Sequence, residues 1–388
     1  MRIITLAILI FFVSVGCLER FEPQGTTLTN LLVVEGQLTT GAEGNTIKLS
    51  RTRAIGMKDM VPEQNAIVKV TDGQSNDYLF KETLPGTYYS PAADLTAKVG
   101  EKYMLDIVTA GGSHYQSSPV TLKQTPPIEK VYYSSETRLT DDGKVLSGIA
   151  IYLDAFDENN NTNYYRWEWT ENWEIQMPVN SKFDFQVDKD TIGMGYPIPK
   201  ILPVNICYNS DTSSRIMVAS TKTLSEDRVK KYEINFTSTK GFKLKSLYGI
   251  IVKQYALDEA GYKYWEALRA NSEGVGTLFD PQPYELTGNV FNTSDGNEPV
   301  LGYFDASTVS VNSLVVIRDQ LDSLVYPLEQ CFEEKDTVPY RLVQDYLQAG
   351  YLIDTTGLFG TTYVIMAPVD CSDCRLYGSL ERPKFRPD

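Results

Sequence analysis

A mainly β protein, with an N-terminal immunoglobulin-like β-sandwich followed by a larger β-rich domain carrying one or two short helices, is what this 388-residue sequence predicts. Three observations carry that reading. Short alternating or β-branched runs recur along the chain, separated by Gly, Pro, Asn and Asp. Tyrosine is abundant, at 25 residues, and aromatic side chains suit half-buried pleated surfaces. Helical periodicity is largely confined to two late stretches.

Residues 1–16 read as a signal peptide. Arg2 precedes the apolar run Ile3 to Val15, which is short of the roughly twenty residues needed to span a bilayer. Ser14-Val15-Gly16-Cys17 is similar to the lipobox of bacterial lipoproteins, with Ser14 where Leu is usual. Cys17 is then the lipidated residue, and residues 17–29, punctuated by Pro23 and Gly25, are its tether.

Residues 30–123 carry the expected sandwich. LLVVEGQL is β-branched, NTIKLSRT alternates, and NAIVKVTDGQ ends in the turn Asp72-Gly73; DYLFKE, GTYYS, KYMLDIVTA and SSPVTLK follow. The stretch QTPPI at 124–128 is a stiff connector, because two prolines exclude helix. Residues 129–330 form the second domain. GIAIYLDAFD and YYRWEWTENWEI read as strands, residues 178–215 as irregular, and LSEDRVKKY as a short helix capped by Ser225. A helix near 258–270 is marked by Tyr264, Trp265 and Leu268, with Asp258 and Glu259 at its start. Residues 331–388 hold a second helix over DTVPYRLVQDYLQAGY, a strand TTYVIMA and a cysteine-bearing tail.

The chemistry the chain can support is bounded by its inventory. A net charge of −14 repels phosphate backbones and argues against nucleic-acid binding. The single histidine, His114, has no G-x-S-x-G elbow to serve, and its being alone rules out multi-histidine zinc catalysis. A carboxylate pair is compatible with the composition, but spacing shows no shared cleft for one. Asp157, Asn159, Asn161 and Asn163 have the alternating oxygen spacing of a calcium loop, with Thr162 where such loops need Gly and Glu168 at the twelfth place. Trp167, Trp169 and Trp173 offer stacking surfaces for a ligand or partner if exposed, and core packing if not. Beyond Cys17 there are four cysteines, Cys207, Cys331, Cys371 and Cys374, and export to an oxidising compartment favours their pairing. The preferred arrangement ties the tail pair back to Cys207 and Cys331. The alternative joins Cys371 to Cys374 and Cys207 to Cys331.

Several stretches together carry a resemblance: LVVEGQLTT, NYYRWEW, QYALDEAGYKYWEAL, GTLFDPQPYELTGNVFN, VLGYFDAS and DCSDCRLYG. In this order they resemble the domain-of-unknown-function 4249 family, lipoproteins of Bacteroidota. The resemblance implies a protein with no established reaction and no cofactor. It implies an outer-membrane location, facing the exterior, beside a TonB-dependent transporter barrel that the protein serves as a capture or lid component. This chain departs from the family pattern at Asn312-Ser313, where a basic pair is common, and at Tyr377-Gly378-Ser379 in the tail. The competing readings are a structural or adhesive surface lipoprotein and, more distantly, a carboxylate-based hydrolase.

Overall fold

The computed structural model describes residues 30–53, 60–140, 142–187, 195–273, 286, 288–321, 324, 335–356 and 362–385. The expected signal peptide, the tether with Cys17, and Cys331 lie outside the described residues. The described chain is mainly β, as the alternating runs predict.

In the first domain the strands Leu32–Leu38, Asn45–Arg51, Ile67–Asp72 and Lys102–Val108 turn alternate side chains inward. Leu32, Val34, Ile47, Leu49, Val68, Val70 and Leu105 share one core. Two layers close over it because the strand Asp77–Leu84 changes partner along its length. Its first half pairs with Ile67–Asp72 and its second half with Thr87–Ser90.

This sandwich does not end at residue 123. Val290–Asn292 pairs antiparallel with His114–Ser117, and Leu301–Ala306 lies parallel to the first strand, with Val33 opposite Leu301. Phe304 and Ala306 enter the first core. The expected domains 30–123 and 129–330 are therefore interleaved, and residues 290–306 belong to the first. A parallel partner contributed from far along the chain leaves no turn signature, so local pattern cannot register it. The contact is close. Gly302 has φ +113°, and a Cβ there would stand 1.9 Å from the Val34 carbonyl oxygen.

The second domain sets the strands Ile128–Leu139, Val145–Phe156 and Arg228–Ser238 against a five-stranded sheet centred on Tyr164–Gln176 and Leu247–Ala256. Ile149, Ile151, Leu153, Trp167, Trp173, Ile250 and Val252 fill the space between. LSEDRVKKY is not a helix but a turn running into Arg228–Ser238. Val229 enters the core and Arg228 lies 3.6 Å over the Phe156 ring, so tertiary pairing outweighs a weak local preference.

The long helix, Glu259–Glu273, forms where expected. Asp258 caps it by accepting the Gly261 N–H at 2.7 Å. The second expected helix is shorter: Asp336–Pro339 is a strand, Tyr340–Leu342 a 3-10 turn, and only Val343–Gln348 is α-helical. The stretch 178–215 is also more regular than its composition suggests. Phe183–Val187 and Gly195–Pro199 join Asp336–Pro339, Tyr351–Thr356 and Tyr363–Pro368 in a third, small sheet with its own core. Ile206–Thr212 adds an edge strand to the second domain.

Two crossings between the first and second domains are laced together. Thr125 N–H donates to Thr308 Oγ1 at 2.8 Å, and Thr308 N–H donates to the Lys123 carbonyl at 2.8 Å. Gln254, fully buried, receives the Trp167 indole N–H at 2.8 Å and donates to the Pro126 carbonyl at 2.8 Å. The connector is thus fixed to the second core rather than free to swing.

Candidate functional site

The strand Tyr164–Gln176 has two differently committed faces. Tyr165 and Trp167 point into the second core, with Trp167 only 1% exposed. Arg166 and Glu168, on the alternate face, point toward the first domain. Arg166 is 6% exposed, so its charge has been taken almost wholly out of water. It is compensated in three ways. Its Nη1 donates to the Glu168 carboxylate, and its Nη2 donates to Gln37 Oε1 of the first strand at 3.0 Å. Its guanidinium also lies 4.6 Å from the ring centres of both Tyr255 and Trp265. A planar, weakly hydrated cation suits such aromatic contacts, which lysine would fill poorly. The Tyr255 hydroxyl donates to Glu168 at 3.2 Å. Burial pushes the Glu168 carboxyl up, but the charge and hydrogen bond of Arg166 hold it below its usual range.

Across the domain junction lies Asp305. Alternation on Leu301–Ala306 sends Phe304 into the first core and leaves Leu301, Tyr303 and Asp305 on the outer face, where the helix packs. Gly261 makes that packing possible. A Cβ at this position would stand 3.3 Å from Asp258 Oδ1, from Asp305 Oδ2 and from the Tyr303 ring. A glycine that costs about 1 kcal/mol in a helix interior is explained by this close approach. Tyr264 stacks on Tyr303 with ring centres 5.2 Å apart.

Burial raises the Asp305 carboxyl to about 6; Arg166 opposes the shift and Asp258 adds to it. Among the described residues, Arg166 Nε, Trp265 Nε1 and Asp305 Oδ2 are buried polar atoms without a hydrogen-bond partner. Such atoms are uncommon in folded proteins and each costs stability. Their concentration here marks a junction that is not optimised for stability alone.

The Asp305 shift has a measurable consequence. Its folded-state value of about 6 lies above the ordinary 3.8, so the native state holds the proton more tightly than the unfolded state. Ionising Asp305 therefore reduces stability as pH rises from about 3.8 to about 6, and the cost persists above that window. From the shift, that cost is on the order of 3 kcal/mol. Asp305→Asn should be more stable than the parent at pH 7.5, with the advantage fading toward pH 4. Urea unfolding of both proteins across this range checks it, and parallel pH profiles would refute it.

Beside this cluster the two domains enclose a cleft of about 730 Å³. Val33, Glu35, Thr46 and Lys48 of the first domain line one side, and Trp265, Leu268, Arg215 and Ile216 line another. Its size lies in the range of small-molecule sites.

Of the residues singled out in the sequence, Trp167 and Glu168 line this cleft and the others fall elsewhere. Trp167 and Trp173 take the core-packing alternative: Trp167 stacks on Tyr165, and Trp173 is 8% exposed beneath Lys243. Trp169 is half-buried and packs on the same core. The fourth tryptophan, Trp265, lines the cleft, as does Trp167.

Asp157 does not face outward as a cation ligand. Its carboxylate accepts the N–H groups of Asn159, Asn161 and Thr162 at 3.0, 2.9 and 2.9 Å, while the Asn163 carbonyl accepts the Thr221 N–H. Glu168 is committed to Arg166 and Tyr255. A loop that turns amide hydrogens toward its carboxylate is an Asx-type turn, and a calcium loop would converge oxygens instead. His114 pairs with Asp106 at 2.8 Å in the first sheet.

Cys207 and Cys374 form a disulfide, their Cα atoms 5.4 Å apart. Cys371 is also disulfide-bonded. A direct Cys371–Cys374 bond is thereby excluded.

Sequence reasoning missed the Arg166 cluster, although a signal was present. Four of the stretches that carry the family resemblance meet here: Gln37 from LVVEGQL, Arg166 from NYYRWEW, Tyr255, Asp258, Gly261 and Trp265 from QYALDEAGYKYWEAL, and Tyr303 and Asp305 from VLGYFDAS.

The family model described as "Domain of unknown function (DUF4249)" matches residues 19–313. The cysteine-bearing tail lies beyond the matched segment. No curated protein matches the chain. Among solved structures, the BSP domain of a biofilm-associated protein aligns at 7% identity with a TM-score of 0.14, covering 78% of this chain. The chain spans 62% of the length of that protein chain. The B domain of a biofilm-associated protein aligns at 8% identity with a TM-score of 0.12, covering 76% of this chain and 89% of the other.

Proposed function

This chain belongs to the DUF4249 family, and from that membership we propose that it is a non-enzymatic outer-membrane lipoprotein that serves a TonB-dependent transporter as a capture or lid component. Lipid on Cys17 would hold it at the membrane, facing the exterior, with residues 18–29 as the tether. The observation that carries the binding role is the cleft between two domains whose crossings are laced together. A recess between fixed walls is preformed, and a preformed site avoids part of the ordering cost of binding. The paired charges of Arg166 and Glu168 in its wall support this reading, since they are spent on joining the domains. Arg166, Glu168 and Gln37 satisfy one another across the junction.

The test is purification from detergent-solubilised membranes of the native source. The expected result is a stable complex with a much larger β-barrel protein, whereas a monomer without a barrel would favour the structural or adhesive reading. In the same cells, a Cys17→Ala protein should leave the membrane fraction, and its retention there would remove the lipid anchor from the proposal.

A further inference from the structure

The walls of the cleft are apolar where a solvated sheet face would be polar. Val33 and Leu301, register partners on adjacent parallel strands, both lie half-buried on the outer side of the first sheet. Leu268 of the helix and Ile216 of the second domain line the same recess. Its rim carries two exposed cations, Lys48 from the first domain and Arg215 from the second. Neither forms an ion pair among the described residues; Arg215 donates only to the Glu233 carbonyl, at 3.3 Å. Two carboxylates also line the recess. Glu168 is committed to Arg166, and Glu35 is the exposed register partner of Lys48. Three cationic side chains against two carboxylates give the recess a positive balance in a chain of net charge −14.

The recess also adjoins the point where the chain enters the fold. Thr52, which lines it, accepts the Asn30 N–H on its carbonyl at 2.9 Å and the Leu31 N–H on its hydroxyl at 3.0 Å. The tether before Asn30, at about 3.3–3.6 Å per extended residue, keeps the recess within roughly 40–45 Å of a lipid on Cys17.

We propose that this cleft binds a small amphiphilic anion, with its apolar body against Val33, Leu301 and Leu268 and its head group at the Lys48 and Arg215 rim. The inference rests on the binding role given above. Such a molecule could be free in the medium or drawn from the adjacent membrane, and the shared chemistry is an apolar chain carrying one negative charge.

The test uses the mature-length chain from residue 17 with Cys17→Ser, which needs no detergent and retains every described residue. Dodecanoate, dodecyltrimethylammonium and dodecyl maltoside are titrated by calorimetry and tryptophan fluorescence below their micellar concentrations. Dodecanoate should bind one per chain, at least roughly tenfold tighter than the cationic and neutral chains. The exposed-site double variant Lys48→Glu/Arg215→Glu should keep its melting curve and weaken dodecanoate roughly tenfold or more. Flotation with phosphatidylcholine vesicles containing phosphatidylglycerol identifies the source. Vesicle binding that dodecanoate displaces points to membrane lipid, and its absence points to a free ligand. Equal binding of all three chains, an unaffected double variant, or no dodecanoate binding would overturn the proposal. Co-purification with a barrel is read separately, so either idea can fail while the other stands.

Discussion

Arg166→Ala should destabilise the protein by about 1.5–3 kcal/mol, through the lost hydrogen bonds and ring contacts of a buried guanidinium whose partner Glu168 is itself 46% exposed. The substitution leaves Glu168 without the cation that keeps it ionised. It takes the donor from Gln37 across the domain junction and leaves Tyr255 and Trp265 with no group between their rings. Arg166→Lys keeps the charge but lacks the forked guanidinium that reaches Glu168, Gln37 and both rings at once, so it should recover only part of the loss. Arg166→Met restores packing and leaves Glu168 unpaired, and should recover less at neutral pH than in acid, where Glu168 takes up a proton. Urea unfolding of the three variants at two pH values checks this order. An alanine variant as stable as the parent would mean that the cluster holds nothing together.

The second large effect is expected at the tail. Cys207→Ser or Cys374→Ser should cost about 2–5 kcal/mol, because the bridge closes a long loop in the unfolded chain. The sequence separation is 167 residues. The bond also secures a docked segment. Cys374 N–H donates to the Val204 carbonyl at 2.7 Å, Tyr208 and Ser379 form a bridge, and Asn172 donates to the Lys384 carbonyl at 2.7 Å. Phe385 lies over Gly249, where a Cβ would stand 2.9 Å from its ring. In the serine variants the last residues should become the first site of proteolysis. Non-reducing peptide mapping of the parent should recover Cys207 joined to Cys374, and Cys371 joined to Cys331, the preferred partner. A parent that unfolds identically with and without reductant would contradict the expected stabilisation.

How far the fold could be read from the sequence depends on the range of the interaction that decides each element. Strands such as Asn45–Arg51 are decided locally, by alternation against one core, and they are where the pattern puts them. The long helix is also local, with its cap at Asp258 and its apolar side at Tyr264 and Trp265. By contrast, the start of Arg228–Ser238, within LSEDRVKKY, looks helical until its partner Val145–Phe156 is present, and Leu301–Ala306 reveals its sheet only when laid beside Leu32–Leu38. The site suffered from the same limit. In YYRWEW the tryptophans draw the eye, yet alternation buries Trp167 and turns Arg166 outward. Asp305, Asp258 and Gln37 are ordinary polar residues in their own segments. They become a cluster only when three distant parts of the chain meet.

The parallel pairing of Val33 with Leu301 also sets a timetable. As the chain is made, the first sandwich lacks two of its strands, Val290–Asn292 and Leu301–Ala306, and Phe304 of its core, until most of the sequence has emerged. Until then the edge of Leu32–Leu38 offers unpaired backbone groups to any neighbouring chain. Long-range pairing of this kind is slow and leaves intermediates open to aggregation. Chaperones that shield strand edges should therefore be needed early for this protein, and truncations ending before residue 301 should accumulate as insoluble or degraded material.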